Sequence, residues 1–303
     1  MVRLTNDHML KKRIITALWG IPILITIIYF GEPWFTILVA IWGLLAALEF
    51  YRIVAASKVS PLTYFGLIWT LLFILSRDPD LLSFLEPHFN LNLLTPLLLT
   101  SAVILSLIWL LLRRQKEGAF IDWAWTIGGI LYIGWLLSHF VALRGGYHPL
   151  SITETAGRNW VFLALFTTFA SDTAAFFVGR ALGKHHLAPR ISPGKTWEGA
   201  IAGVFGAIIV SLLFTLPKLF TIPNPLYLQD FRYWQAILLG LLVSVFGQLG
   251  DLVESLLKRN VGVKESGKLI PGHGGVLDRL DSVVFTGTVV YYYVLSYNTG
   301  WLS

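Results

Sequence analysis

The chain has 303 residues, of which 55% are hydrophobic and 13% charged, against about 25% charged in soluble domains. That balance excludes an ordinary soluble globular protein and predicts an all-α, polytopic integral membrane protein. Cysteine is absent, which excludes disulfides, thiolate nucleophiles and Cys-type metal sites, and the formal net charge is +6.

The first 13 residues are polar and end in Lys11-Lys12-Arg13, ahead of an apolar run over 14–30. A basic start and an apolar core are features of a secretory signal. No small-x-small cleavage site follows, and Gly31-Glu32-Pro33-Trp34 comes in its place. The run therefore reads as a retained first span with a cytoplasmic N-terminus. Further apolar runs cover about 34–50, 61–76, 93–112, 122–142, 159–179, 197–217, 233–257 and 283–300. Lengths near 20 residues suit the hydrocarbon core, which predicts about nine transmembrane helices.

Charge fixes the orientation. With the N-terminus inside, 18 of the 23 Lys and Arg residues fall in cytoplasmic segments, as the positive-inside rule requires. The same alternation puts the C-terminus outside and residues 258–281 in the cytoplasm. No internal repeat is evident, which weighs against transporters built from duplicated halves. The basic residues are spread over several loops rather than along one face, so no nucleic-acid module is expected. His139, in a Trp-rich span, reads as a packed histidine, and His185-His186 as a solvated loop. Glu49 can pair with Arg52 at i+3.

Composition shifts near residue 160. Before it the spans carry few charges; after it ionisable residues enter them. The chain accordingly divides into N-terminal membrane helices over 1–158, read as a scaffold, and a membrane domain over 159–303 that holds the polar clusters. Asp172 lies inside the apolar run 159–178. A carboxylate at the centre of a span costs about 2.5–3.5 kcal/mol on insertion scales, and it reads either as a structural group satisfied by Ser171, Thr173 or a neighbouring helix or as a charge facing a polar cavity. Next comes Ser192-Pro193-Gly194-Lys195-Thr196-Trp197-Glu198-Gly199. Thr196 is suited to cap a helix start, where Lys195 and free N–H groups favour anions. The stretch is not a P-loop, because the glycine required five residues before Gly194 is Pro189.

The densest polar stretch covers 251–281. Asp251, Glu254, Ser255 and Lys258 recur at i, i+3, i+4 and i+7, one face of a helix. Arg259 follows, then a loop with Lys264 and Glu265, then His273-Gly274-Gly275 and Asp278-Arg279-Leu280-Asp281. Carboxylates on two helix ends with a basic, Gly-rich loop between them suit a divalent metal bound to a polyphosphate.

This stretch resembles the signature of the phosphatidate cytidylyltransferases, S-x-x-K-R, then K-D, then H-G-G-x-x-D-R-x-D. The chain supplies Ser255, Lys258-Arg259, Lys264, His273-Gly274-Gly275, Asp278-Arg279 and Asp281 at matching spacing, and Ser192 to Gly199 resembles a second family motif, Ser-Pro-x-Lys-Thr-x-Glu-Gly. One position departs: Glu265 stands where the family has Asp. The resemblance implies that CTP and phosphatidic acid give CDP-diacylglycerol and pyrophosphate, with magnesium, alone or with a second cation, as cofactor. It also implies a homodimer in the inner membrane and a polar cleft at the cytoplasmic face. On that basis Asp251, Lys258, Asp278 and Asp281 are expected to carry the reaction. Asp251, Asp278 and Asp281 would hold the metal, with Asp172 and Glu254 in support. Ser192, Lys195, Ser255, Arg259, Lys264, His273, Gly274, Gly275 and Arg279 would hold CTP. The rival readings are a CTP-dependent transferase acting on a polyprenol or other lipid alcohol, which would need a base, and an ion or metabolite transporter using Asp172 and Asp251.

Overall fold

In lipid every backbone N–H and C=O must be satisfied within the chain, and helices do this locally. The apolar runs fold accordingly. The computed structural model describes residues 18–112, 117–146, 150, 152–267, 269 and 274–298. The predicted start of the first span at Ile14 and the predicted ligand His273 lie outside the described residues. A helix covers each of the nine predicted spans among the described residues. Five helical stretches are long and apolar enough to cross a membrane by length and composition: Trp34–Ala55, Leu91–Leu112, Ala119–Gly145, Glu154–Leu182 and Tyr233–Asn260. Leu18–Phe30, Thr63–Leu75 and Trp197–Leu213 are shorter apolar helices.

The chain forms two compact units. The first contains Met1–Val141 and Asn260–Leu280, and the second Ala142–Arg259 and Asp281–Ser303.

In the first unit the helices are α1 (Leu18–Phe30), α2 (Trp34–Ala55), α3 (Thr63–Leu75), α4 (Pro79–Leu85), α5 (Leu94–Leu112) and α6 (Ala119–Gly129). A π-helical stretch, Ile130–Trp135, joins α6 to α7 (Leu136–Gly145). Tyr51 of α2 organises the packing. Its hydroxyl donates to the Thr126 carbonyl of α6 at 2.9 Å, and Gly66 and Gly129 come so close that a Cβ at either would overlap the ring. Thr126 in turn accepts from the Leu62 N–H at 2.8 Å. Replacing Tyr51 with phenylalanine keeps the ring and removes the donor. The expected cost is about 1 kcal/mol, read as a Tm lowered by about 2 °C in detergent; an unchanged Tm would show that the hydroxyl contributes nothing. His139 is fully buried, with Nδ1 3.1 Å from the Leu136 carbonyl, the packed role expected of it. By contrast, α5 leaves Leu97, Ile104, Ile108 and Leu111 exposed, as lipid-facing side chains would be.

The second unit begins with the last turn of α7 and then α8 (Glu154–Leu182), capped by Thr153, whose Oγ1 accepts from the Ala156 N–H at 3.2 Å. A hairpin follows, β1 (His186–Ala188) antiparallel to β2 (Ser192–Thr196), with His186 opposite Thr196 and Ala188 opposite Ser192. Helix α9 (Trp197–Leu213), a second small hairpin of β3 (Lys218–Leu219) and β4 (Ile222–Pro223), α10 (Tyr233–Asn260) and α11 (Leu277–Asn298) complete the fold. The two hairpins correct the all-α expectation. Ser-Pro-Gly in β2 cannot continue a helix, and proline favours extended backbone. Along α9, Gly199, Gly203 and Gly206 face α8: a Cβ on each would lie 2.6, 3.0 and 3.0 Å from the carbonyls of Ala175, Ser171 and Ala170. Small residues at helical spacing let two helices approach this closely.

Candidate active site

Within the second unit the polar side chains predicted from sequence gather at one place. Asp251, on α10, is the hub. Its Oδ2 is 2.8 Å from Lys195 Nζ, and its Oδ1 accepts from Ser255 Oγ at 3.4 Å, one helical turn on. Lys195 comes from β2 and also donates to the Gln248 carbonyl at 3.2 Å. The Gln248 side chain is fixed in turn, donating to the Ala200 carbonyl at 3.1 Å and to Ser244 Oγ at 3.0 Å. Ser244 and Ser171 share a hydrogen bond of 2.7 Å, which ties α10 to the turn of α8 that bears Asp172.

Asp172 and Asp281 complete a carboxylate group. Asp172, Asp251 and Asp281 lie near enough to act on one another electrostatically, Lys195 acts on Asp172, and Lys258 acts on Asp281. Three helices, α8, α10 and α11, thus supply one carboxylate each. Gly250 makes the approach of α11 feasible, because a Cβ there would stand 2.5 Å from the Asp281 carbonyl. Asp172 is exposed, and Asp251 and Asp281 are half-buried, so a ligand can reach all three.

Among the described residues no three Asp, Glu or His side chains form a ready-made metal cage. The donor chemistry nevertheless fits magnesium: carboxylate oxygens are the hard ligands it prefers, and like charges held together favour a cation. Glu254 lies on α10 one turn after Asp251. It is fully buried and ion-paired with Lys258. Lys258 is therefore placed against Glu254 as well as within range of Asp281. Arg259 reaches across to the Ile191 carbonyl at 3.4 Å, next to Ser192.

The β1–β2 hairpin that carries Lys195 is pinned at both ends. Thr196 caps α9, its Oγ1 accepting from the Gly199 N–H at 3.2 Å. Glu198 accepts from the N–H groups of Lys184 and His185 at 3.2 and 3.3 Å and bonds His185 Nδ1 at 2.6 Å. His185 is thereby a structural partner of the second motif.

Residues 11–297 match the Cytidylyltransferase family. Over 94% of this chain and 96% of its own length, the phosphatidate cytidylyltransferase of Synechocystis sp. is 33% identical. That of Bacillus subtilis is 34% identical over 93% of this chain and 97% of its own. The chain belongs to the phosphatidate cytidylyltransferase family. A chloroplastic phosphatidate cytidylyltransferase of Arabidopsis thaliana is 34% identical over 94% of this chain and 71% of its own. The cytidylyltransferase match thus extends through the N-terminal helices, which the two motifs alone did not reach.

Lys264, Gly274, Gly275, Asp278 and Arg279 of the cytidylyltransferase signature lie in the first unit. There Asp278 serves the loop before α11: its Oδ2 accepts from the Gly275 N–H at 2.9 Å and the Ser266 N–H at 3.1 Å. Gly274 has φ +83°, a conformation glycine adopts without strain. Gly275 is needed for a different reason: a Cβ would overlap Ser266 Oγ and the Glu49 carboxylate and lie 2.8 Å from the Gly267 nitrogen. Lys264, Glu265 and Arg279 are exposed around this loop. Sequence reasoning missed Glu49. Expected beside Arg52, its carboxylate accepts from Ser266 Oγ at 3.1 Å and from the Leu277 N–H at 3.0 Å. Its two partners are 217 and 228 residues away in the chain, out of reach of any local pattern.

Proposed function

We propose that this protein joins CTP to phosphatidic acid, giving CDP-diacylglycerol and pyrophosphate. The observation that carries the reading is the grouping of Asp172, Asp251 and Asp281, with Lys195 and Lys258 beside them, in a chain whose relatives bear the name phosphatidate cytidylyltransferase. The lipid phosphate is ionised near neutral pH and needs no base. Its oxygen bonds to the α-phosphorus of CTP as the bond from that phosphorus to the β-phosphate oxygen breaks, and pyrophosphate leaves with the electron pair. The barrier lies in bringing two anions together, so positioning and charge neutralisation do most of the work.

Asp251 and Asp281, with Asp172 beside them, would hold magnesium, which supplies positive charge to the phosphates of CTP. Lys195 and Lys258 would bind phosphate oxygens, leaving Asp251 and Glu254 as their resting partners. Arg259, Lys264 and Arg279 add positive charge, and Ser192, Ser255 and His273 contribute polar contacts to CTP. Asp278 is a further candidate metal ligand through whatever capacity its loop contacts leave. The surplus of Lys and Arg in alternate loops supports nine spans, a cytoplasmic N-terminus and a site facing the cytoplasm of the inner membrane. Acyl chains would then stay in the bilayer while the headgroup reaches the carboxylates. Residues 1–158 act as scaffold and dimer surface, and residues 159–303 carry the chemistry.

The test is pyrophosphate release by detergent-solubilised protein given phosphatidic acid, magnesium and each nucleoside triphosphate separately. Release should need both CTP and phosphatidic acid. Equal release with a lipid alcohol in place of phosphatidic acid would favour the other transferase. No release together with solute flux in liposomes would favour a transporter.

A further inference from the structure

We infer that Glu49 is a positioning residue for the transfer: from α2 it holds the segment that leads into α11, and so sets where Lys264, Asp278 and Arg279 stand. This rests on the function proposed above and assigns a new part to the N-terminal helices.

The geometry is specific. Glu49 is 6% exposed, and a buried carboxylate is costly unless donors surround it. Its donors come from the signature segment. One is Ser266 Oγ, and the other is the N–H of Leu277, the first residue of α11. The first N–H groups of a helix lack partners within it, and a negative charge there is favoured by the helix dipole. Glu49 therefore caps α11 from another helix. Ser266 is the node of the arrangement. Its hydroxyl goes to Glu49 while its N–H goes to Asp278, in the first turn of α11. Gly267 and Gly275 complete the fit, because a Cβ on either would overlap the Glu49 carboxylate. Four residues of the segment are thus shaped around one side chain that no motif includes. Lys264 lies two residues before Ser266, and Arg279 two after Leu277, so release of the anchor moves the groups proposed to hold CTP phosphates.

The experiment compares wild type with Glu49→Ala, Glu49→Gln and Ser266→Ala in one turnover assay, varying CTP and phosphatidic acid separately. Misplacement of binding groups by about 1 Å can cost about a hundredfold. Glu49→Ala should raise the KM for CTP at least about tenfold and leave that for phosphatidic acid within about twofold. Glu49→Gln, which keeps an acceptor oxygen, should recover most of the loss. A general loss of folded protein would lower the rate with both substrates and leave both KM values alone; that result overturns the inference. If Glu49→Ala does not fold, Ser266→Ala decides, and an unchanged KM for CTP in that variant overturns it equally. Amide exchange at Ser266 and Leu277 gives a reading independent of turnover: it should quicken in Glu49→Ala, or in Ser266→Ala for Leu277, and unchanged exchange counts against the anchor. Wild type that turns over nothing would instead refute the proposed function, with the anchor still judged by exchange.

Discussion

Asp251→Asn should lower CDP-diacylglycerol formation by about three orders of magnitude while the protein still inserts and folds. Removing one preorganised electrostatic group from a reacting centre costs about 10²–10³ in kcat, and Asp251 serves two functions at once. It is the ion-pair partner of Lys195 at 2.8 Å and the carboxylate whose charge both Asp172 and Asp281 feel. Asparagine preserves shape and can still accept from Ser255, so the helix face is kept. What is lost is charge. Lys195 then keeps the Gln248 carbonyl and the charge of Asp172 but loses its ion pair, and the remaining carboxylates attract a cation less strongly. The check is initial rate at saturating CTP, with thermal melting to confirm folding. A wild-type rate would remove Asp251 from the chemistry.

Gly275→Ala should be almost as damaging, by a route that involves no charge. The added Cβ would meet the Gly267 backbone nitrogen at 2.8 Å as well as Ser266 and Glu49. Side chains can rotate away from a clash, but backbone cannot, so the segment must move. Overpacking of this kind costs about 1–3 kcal/mol of stability, and the shift should lower kcat/KM for CTP about a hundredfold. Gly128, on α6, is the control: a Cβ there meets nothing within 4 Å. Alanine at Gly128 should leave activity alone and stabilise the helix by about 0.5–1 kcal/mol. Equal kinetics for the two variants would show that the crowding at Gly275 is not functional.

Much of the second unit could be read from the chain. Asp172 stood out because an apolar run makes any carboxylate conspicuous. Helical periodicity placed Asp251 with Ser255, and these two do bond. The same periodicity grouped Glu254 and Lys258 with them, and the structure pairs those two with each other and buries Glu254 completely. A spacing of three or four residues says which side chains are neighbours, not which of them face a ligand. Helix limits ran past the apolar runs for a related reason. α8 starts at Glu154 and α11 at Leu277, because polar residues continue a helix that hydropathy alone would end. Asp278 and Glu49 illustrate the larger gap. Asp278 accepts the N–H groups of Ser266 and Gly275, and Glu49, on α2, accepts the Ser266 hydroxyl and the first N–H of α11; no rule of spacing connects α2 to those residues. The hairpin at 186–196 escaped notice because its strands are too short to show alternation.

The central claim is that Asp172, Asp251 and Asp281 together attract a divalent cation beside the site for CTP. The most direct measurement is a manganese titration of detergent-solubilised protein, followed by the electron paramagnetic resonance signal of free Mn²⁺, with and without CTP. Wild type should show saturable binding that magnesium competes away and that CTP tightens, and Asp251→Asn and Asp281→Asn should each lose it. Identical binding curves in wild type and both variants would contradict the account.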